Sequence, residues 1–441
     1  MNWTTLLSAK RKGQKNGLNA ESSRSAFEQD YDRIIFSHPF RRLQDKTQVH
    51  PLPEHDFVHT RLTHSLEVSS VGRSLGKRTG EVILERHPQL GSEFSLYDFG
   101  AVVAAAALAH DLGNPPFGHA GEDSISDFFL HNPSGLYFKE HVSESQWHDL
   151  IRFEGNAQGF RILGKEQYGL KLTYASLGAF TKYPCAADFP KRNINRKSQK
   201  KFGFFQSEKE AFADVASELD LIQNDQDSWC RHPLAFLVEA ADDICYSIID
   251  LEDGCRLGLV SFDDTVELLS GILRDKLDKR KLGNHGDLNQ KLGILRALAI
   301  GELIDATTEV FLSHEAALLD GSFDQSLADL CIFQHSMHEI SNVSFEKIYH
   351  ARHVVEIEAA GHQILPGLLE EFTQTGLYLT QQKSSRKYNN LRLLMPVEIA
   401  SAISSSPGDT YLMLRSVIDF ISGLTDRHAL SLYRKIKGIS L

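Results

Sequence analysis

The tract LYDFGAVVAAAALAHD, residues 96–111, limits the architecture more than any other part of the chain. Its apolar run from Ala101 to Ala109 is far shorter than the ~20 residues that span a bilayer, so it predicts a helix buried in a protein core. The run ends on His110-Asp111, and the chain then breaks at Gly113-Asn114-Pro115-Pro116. A carboxylate at the end of a buried helix is costly unless it is paired or bound to a metal, and the break places it at the mouth of a loop. Apolar residues recur at three- and four-residue intervals in AFEQDYDRIIF, RLTHSLEVSSVGRSLGKRTGEVI and PLAFLVEAADDICYSIIDL as well. Most of the chain therefore reads as helix. Alternating tracts are few: a short hairpin around Thr47–Leu52 and a strand near Phe202–Phe205. There is no internal repeat, and no GxGxxG or GxxxxGKS/T loop to support a dinucleotide or P-loop fold.

Punctuation divides the chain into a polar, flexible N-terminus (1–23), a core (24–255) and a helical C-terminal region packed on it (256–441). Residues 186–210, with Pro, Asn and a basic cluster, read as a long connection or insertion in that core. Gly254 is expected to mark a helix end. SSSPGD at 404–409 precedes a last amphipathic segment in which Tyr411, Leu414, Ile418, Ile421 and Leu424 recur at helical spacing.

The formal charge is −11 and the isoelectric point about 6.0, whereas a chain that coats DNA is usually basic. An anionic substrate would have to be held by local cations or a metal. The five cysteines are odd in number and form no CxxC pair, which fits reduced thiols and not a disulfide frame or a zinc–thiolate site. MNWTTLLSAKRKGQK has no sustained apolar stretch, so neither a signal peptide nor a membrane partner is expected, and the expected home is the cytoplasm.

The dipeptide His-Asp occurs three times. His55-Asp56 and His148-Asp149 sit in polar surroundings and are expected to be solvated. His110-Asp111 alone could be a helix C-terminal cap. His64 lies at the start of another amphipathic helix. Asp242, Tyr246 and Asp250 fall at i, i+4 and i+8 and share one face of an apolar helix. Asp243, Glu252 and Asp253 would form a surface stripe, and periodicity alone leaves open which of Asp242 and Asp243 points inward. Two imidazoles and two carboxylates from three helices can hold one divalent cation. Mixed nitrogen and oxygen ligands suit Mn, Fe, Co, Ni or Zn and, with water, Mg. Such an ion activates water and neutralises phosphate charge. In GNPPFGHAGED, His119 and Glu122 are three apart on a nascent helix. That spacing suits a general acid/base pair, the plainer alternative being a helix cap.

The chain resembles the deoxyguanosinetriphosphate triphosphohydrolase family, the bacterial dNTPase branch of the HD superfamily. The resemblance is carried, in family order from about residue 24 to 434, by FRRLQDKTQV, HTRLTHSLEV, AHDLGNPPFGHAGED, FEGNAQGFRIL, LTYASLGAFTKYP, EAADDICYSIIDLEDG and DFISGLTDRHAL. It implies an all-α fold: an HD-domain core with a helical C-terminal half. It implies hydrolysis of deoxynucleoside triphosphates, dGTP or several dNTPs, to deoxynucleoside and inorganic triphosphate. One divalent ion per subunit (Mg, Mn, Co, Fe or Ni) would rest on His64, His110, Asp111 and Asp242, with His119 and Glu122 as the catalytic pair. Gln48 and Asn156 match nucleotide contacts, Tyr246 and Asp250 positions near the sugar, and Arg61 a phosphate-binding arginine. Lys182 and Tyr183 lie in a family motif as phosphate contacts. His59 stands where the family often has arginine.

The resemblance, together with the amphipathic C-terminal helices, also points to a homo-oligomer, a hexamer, and such an assembly would bring Arg427 towards a neighbour's site. The basic cluster Lys191, Arg192, Arg196, Lys197, Lys200 and Lys201 is expected to be solvated, with single-stranded nucleic acid as an allosteric ligand the alternative. His335 and His338 form an HxxH without an evident carboxylate and read as helix surface. The competing functions are another HD-type nucleotide phosphohydrolase and a non-catalytic dNTP-binding regulator.

Overall fold

The computed structural model describes residues 1–439 apart from 14–23, 50–58, 166–167, 190–191, 194–195, 278–281, 283–285 and 384. The apolar run forms the helix Leu96–Ala109, with Val102 to Ala109 all buried. The longer helix Arg61–Arg86 lies along it, opened by a capping box between Thr60 and Thr63. Glycines bring the two together: a Cβ on Gly76 would stand 2.7 Å from the Phe99 carbonyl oxygen, and one on Gly80 2.8 Å from the Phe99 ring. The helix Pro233–Arg256 packs against both, with proline at its start where no amide partner is needed. It does not end at Gly254, whose missing side chain instead admits Ile348, 2.4 Å from where a Cβ would sit.

Two hydrophobic cores result, and they do not divide at residue 255. The first joins these helices to Leu269, Leu295, Leu303, Phe311, Ile340 and Ile348. The second joins Phe117, Phe128, Phe129, Phe153 and Phe205 to Ile364, Leu368 and Phe372 from the helix Arg352–Thr380. Leu414, Ile418, Ile421 and Leu424 belong to that second core, and Tyr411 is 7% exposed beside it. The terminal apolar stripe is therefore intramolecular and is no surface for assembly.

The N-terminus departs from expectation. Trp3, Leu6 and Leu7 are buried in the first core. The terminal ammonium donates to the Leu319 carbonyl at 2.7 Å and Trp3 Nε1 to Glu315 at 2.9 Å. The flexible segment predicted for 1–23 is thus corrected over residues 1–11, because three large apolar side chains outweigh the polar average. Among the described residues the regular sheet is one small antiparallel pair, Gln223–Asp225 with Ser228–Trp229. Phe202–Phe205 is no strand: Phe204 makes a single bridge to Ala186 while its neighbours pack in the cores. Thr47 bridges Thr60, and the rest of the expected hairpin, like His55-Asp56, lies outside the described residues.

Asp149 is not solvated. It is fully buried, accepts from the Gln206 amide at 2.7 Å and from the Tyr411 hydroxyl, and burial pushes its carboxyl up to about 7. His335 is 85% exposed, as expected of a helix surface, though Glu339 lies 3.5 Å away. No helix among the described residues is long and apolar enough to cross a membrane.

Candidate active site

The three long helices converge on one cavity of about 610 Å³, within the range of small-molecule sites. His64 from Arg61–Arg86 and His110-Asp111 from the end of Leu96–Ala109 each place a ligand atom within 4.8 Å of the others. Asp242 joins them: its Oδ1 lies 3.2 Å from His64 Nε2 and 3.4 Å from His110 Nε2. The inward acid of the pair is Asp242; Asp243 faces Ser326 at 3.2 Å. His110 Nδ1 donates to the Ala107 carbonyl at 2.7 Å. That bond leaves Nε2 of the neutral ring with a lone pair facing the other donors, the arrangement of a metal-ligating histidine. Two imidazole nitrogens and two carboxylates, carried by two helices and by the turn that ends a third, fit a divalent cation.

Cations surround these acids. Arg61 Nη1 donates to Asp111 Oδ2 at 2.8 Å and Lys182 Nζ to Asp242 Oδ2 at 2.7 Å. Burial pushes the Asp111 carboxyl up, but Arg61, His110 and His64 outweigh it and hold it at about 2. Lys201 lines the same wall, 3.2 Å from Glu154. Three of the basic cluster's described residues have partners: Arg196 pairs with Asp324 at 2.7 Å, Lys197 with Asp329 at 2.8 Å, and Lys201 faces the cavity 3.2 Å from Glu154, while Lys191 lies outside the described residues. Lys201 went unrecognised as a site residue because charge runs in connections are usually solvated. The one signal was its place immediately before FGFF, whose three phenylalanines are buried.

His119 and Glu122 pair as their spacing predicts, Nδ1 to Oε2 at 2.8 Å. His119 is 81% exposed at the cavity rim and Glu122 9%. The bond from Glu122 raises the imidazole's pKa. Glu122 is fixed in turn, since its Oε1 accepts from the Gly155 amide at 2.6 Å. Glycine at 155 leaves room for both side chains where they stand: a Cβ would lie 2.2 Å from Asn114 Oδ1 and 2.8 Å from Glu122 Oε1 and would displace them. This accounts for the first glycine in FEGNAQG.

The far wall mixes both halves of the chain. Gln48, Asn156 and Tyr246 line it with Phe345, Tyr349, His350 and Glu358 from the C-terminal half. Gln48 Oε1 is buried without a protein partner among the described residues. Asn156 Nδ2 donates to Glu154 at 2.7 Å. The Tyr246 ring stands 5.4 Å from that of Tyr349. Asp250 is not part of the wall: it is 3% exposed and accepts from the Tyr349 hydroxyl at 2.7 Å. Tyr349 was invisible to sequence reasoning, because it lies almost a hundred residues from Asp250 in a segment without a ligand set. Glu252 and Asp253 are also buried and paired, with Arg296 at 2.9 Å and His59 at 2.8 Å, and do not form a surface stripe. Arg427 pairs with Asp45 of its own chain at 3.0 Å.

An HD domain model matches residues 61–152, and a phosphohydrolase-associated domain model matches residues 332–435. The chain is 42% identical to a deoxyguanosinetriphosphate triphosphohydrolase-like protein of Synechocystis sp., over the full length of both. It belongs to the deoxyguanosinetriphosphate triphosphohydrolase family. A second such member, from Pseudomonas aeruginosa, is 40% identical over 100% of this chain and 99% of its own. The deoxyguanosinetriphosphate triphosphohydrolase of Yersinia pseudotuberculosis is 31% identical over 93% of each chain. As an HD-type phosphohydrolase, the protein carries His64, His110, Asp111, His119 and Glu122 inside the first matched region and Tyr349 and Glu358 inside the second. Lys182, Lys201 and Asp242 come from the chain between them.

Proposed function

We propose that the protein hydrolyses deoxynucleoside triphosphates to deoxynucleoside and inorganic triphosphate. The observation that supports this most is the gathering, in one cavity, of the His64/His110/Asp111/Asp242 donor set, three cations and the His119–Glu122 pair. Those four residues would hold one divalent ion, Mg, Mn, Co, Fe or Ni. When bound it supplies charge neutralisation for phosphate oxygens and a water of lowered pKa.

The chain's own groups do the rest. Arg61, Lys182 and Lys201 all line the cavity and bind the triphosphate. His119 carries the proton, positioned by Glu122. Water's hydroxyl ends on the α-phosphorus, the bond to the 5′ oxygen breaks, and that oxygen leaves with a proton as the deoxynucleoside's 5′-hydroxyl. Tyr246 packs against the sugar and excludes a 2′-hydroxyl. The Tyr349 hydroxyl, held by Asp250, supplies the sugar-edge polar contact that Asp250 was expected to make. Gln48 and Asn156 face the base.

Chromatography of products from the four dNTPs, with and without Mg, Mn and Co, tests this. Inorganic triphosphate is expected. Orthophosphate or pyrophosphate would make it a different HD-type nucleotide phosphohydrolase, and no turnover would make it a dNTP-binding regulator. We further place the enzyme in the cytoplasm as a hexamer. Light scattering on dilution checks the assembly, and a monomer mass at micromolar protein would remove it. Arg196 and Lys201 of the basic cluster are held by acids of this chain, and added single-stranded DNA is expected to leave turnover unchanged.

A further inference from the structure

Asp426 opens the helix Asp426–Ile436 and is 1% exposed. Its Oδ1 accepts from the Phe117 amide at 3.1 Å. Its Oδ2 accepts from the Thr47 amide at 2.9 Å and from the Thr47 hydroxyl. One carboxylate thus ties down two backbone points that flank the cavity. Thr47 precedes Gln48, and Phe117 stands two residues before His119.

Phe117 needs such a tie. Its φ is +65°, a left-handed conformation that bulky residues rarely adopt, and such strain persists only where the surroundings fix it. Gly118 follows at φ +58°. The pair turns the chain out of the Pro-Pro loop and into the helix Gly118–His131, which sets the direction of His119. The Phe117 ring packs beside Gly361, where a Cβ would come within 3.2 Å of it. Packing holds the ring, and among the described residues Asp426 alone accepts from the amide at this helix start, which would otherwise be an orphan donor. Lys46, 4% exposed, anchors the preceding turn by donating to the Asn114 carbonyl at 2.5 Å and to the Ser422 carbonyl at 2.8 Å. Asn114 Nδ2 in turn donates to Asp111 Oδ1 at 2.5 Å.

We propose that Asp426 is a positioning residue: it locks Phe117 in its left-handed conformation and so fixes His119 over the cavity, with Lys46 holding the turn before it. The catalytic half of this statement rests on His119 as the proton carrier proposed above. The loop-locking half stands apart from it.

The test combines hydrogen exchange with kinetics on the full-length protein, comparing the parent, Asp426→Ala and Asp426→Asn. In Asp426→Ala the segment 112–119 should exchange about tenfold faster or more while the helix Leu96–Ala109 keeps its protection. Turnover should fall by roughly ten- to a hundredfold, the cost of about 1 Å of misplacement, with KM little changed. Asparagine can accept from Phe117 or from Thr47 but not from both, so it should fall between the two. Exchange of 112–119 and kcat must move together in it, which keeps the test sound should alanine loosen the whole fold. Unchanged loop exchange in both variants, or a freed loop with kcat within about twofold of the parent, overturns the assignment. A parent that releases no triphosphate defeats the functional reading instead, and the exchange data then judge the lock alone.

Discussion

Glu122→Gln separates a catalytic pair from a helix cap, and the structure sets the size of its effect. Glu122 Oε1 is committed to the Gly155 amide at 2.6 Å, and Oε2 faces His119 Nδ1 at 2.8 Å. Glutamine keeps the oxygen toward Gly155, so its NH2 must face Nδ1. An NH2 only donates. His119 must then offer a lone pair at Nδ1, and it loses both its tautomer and its partner's charge. A hydrogen bond to a charged group contributes ~1.5–3 kcal/mol, which at about 1.4 kcal/mol per factor of ten makes kcat ~10–150-fold lower. His119→Ala removes the proton carrier itself and should cost ~10²–10⁴-fold. The double variant should be no worse than His119→Ala, because the two residues act as a unit. The pH profile adds a sign. The bond to Glu122 raises the His119 pKa, so its loss lowers it. Whether His119 gives or takes the proton, the midpoint of its limb must move to lower pH. Product release by Glu122→Gln, followed from about pH 5 to 9 across the ordinary histidine range, reads this directly. A limb that stays in place or moves alkaline, or a double variant whose losses multiply, refutes the reasoning.

Three further outcomes are expected. Asp111→Ala should lose the metal and turnover together, and it leaves Arg61 without the partner it has at 2.8 Å; full metal occupancy by elemental analysis would sink the ligand assignment. Tyr246→Ala should narrow the gap between dNTP and NTP hydrolysis, and a parent that already cleaves GTP as fast as dGTP would contradict the steric account. Burial pushes Asp250 up to about 8, against about 3.9 in an unfolded chain, so the native state binds the extra proton and stability falls as pH rises across that window. Asp250→Asn should flatten this fall in melting temperature, whereas an unaltered slope would show that Asp250 is ionised in the fold.

What could be read in advance was local. The helix Leu96–Ala109 and its terminal acid follow from nine apolar residues in a row, and the His119–Glu122 pair follows from a three-residue spacing. Asp242, Tyr246 and Asp250 do share a helix face, yet a face is not a cavity wall. Asp250 sits one turn too deep, and Tyr349 stands in front of it. Nothing in a helical period reports which element covers a face. The same limit applies to Lys201, whose connection carries it inward because Phe202 and Phe205 pack in the second core. Asp149 looked polar and solvated because its partners, Gln206 and Tyr411, lie 57 and 262 residues away. The first residues looked loose because a polar average hid Trp3, Leu6 and Leu7.

The interleaved cores bear on what the catalytic unit is. The HD-matched region holds His64, His110, Asp111 and the His119–Glu122 pair, most of the candidate site, within residues 61–152. Its helix Gly118–His131, however, buries Phe128 and Phe129 against a core that includes Ile364, Leu368 and Phe372. Burying side chains of that size contributes ~1.5–3 kcal/mol each, a large share of the net stability of any domain. The loop before that helix is held by Lys46 and Asp426, and the cavity lining is shared with Tyr349, His350 and Glu358. The C-terminal half therefore stabilises the helix that carries His119, holds the turn that aims it and supplies a wall of the cavity. A chain ending at residue 255 would keep its donors and lose the means of holding them around a substrate.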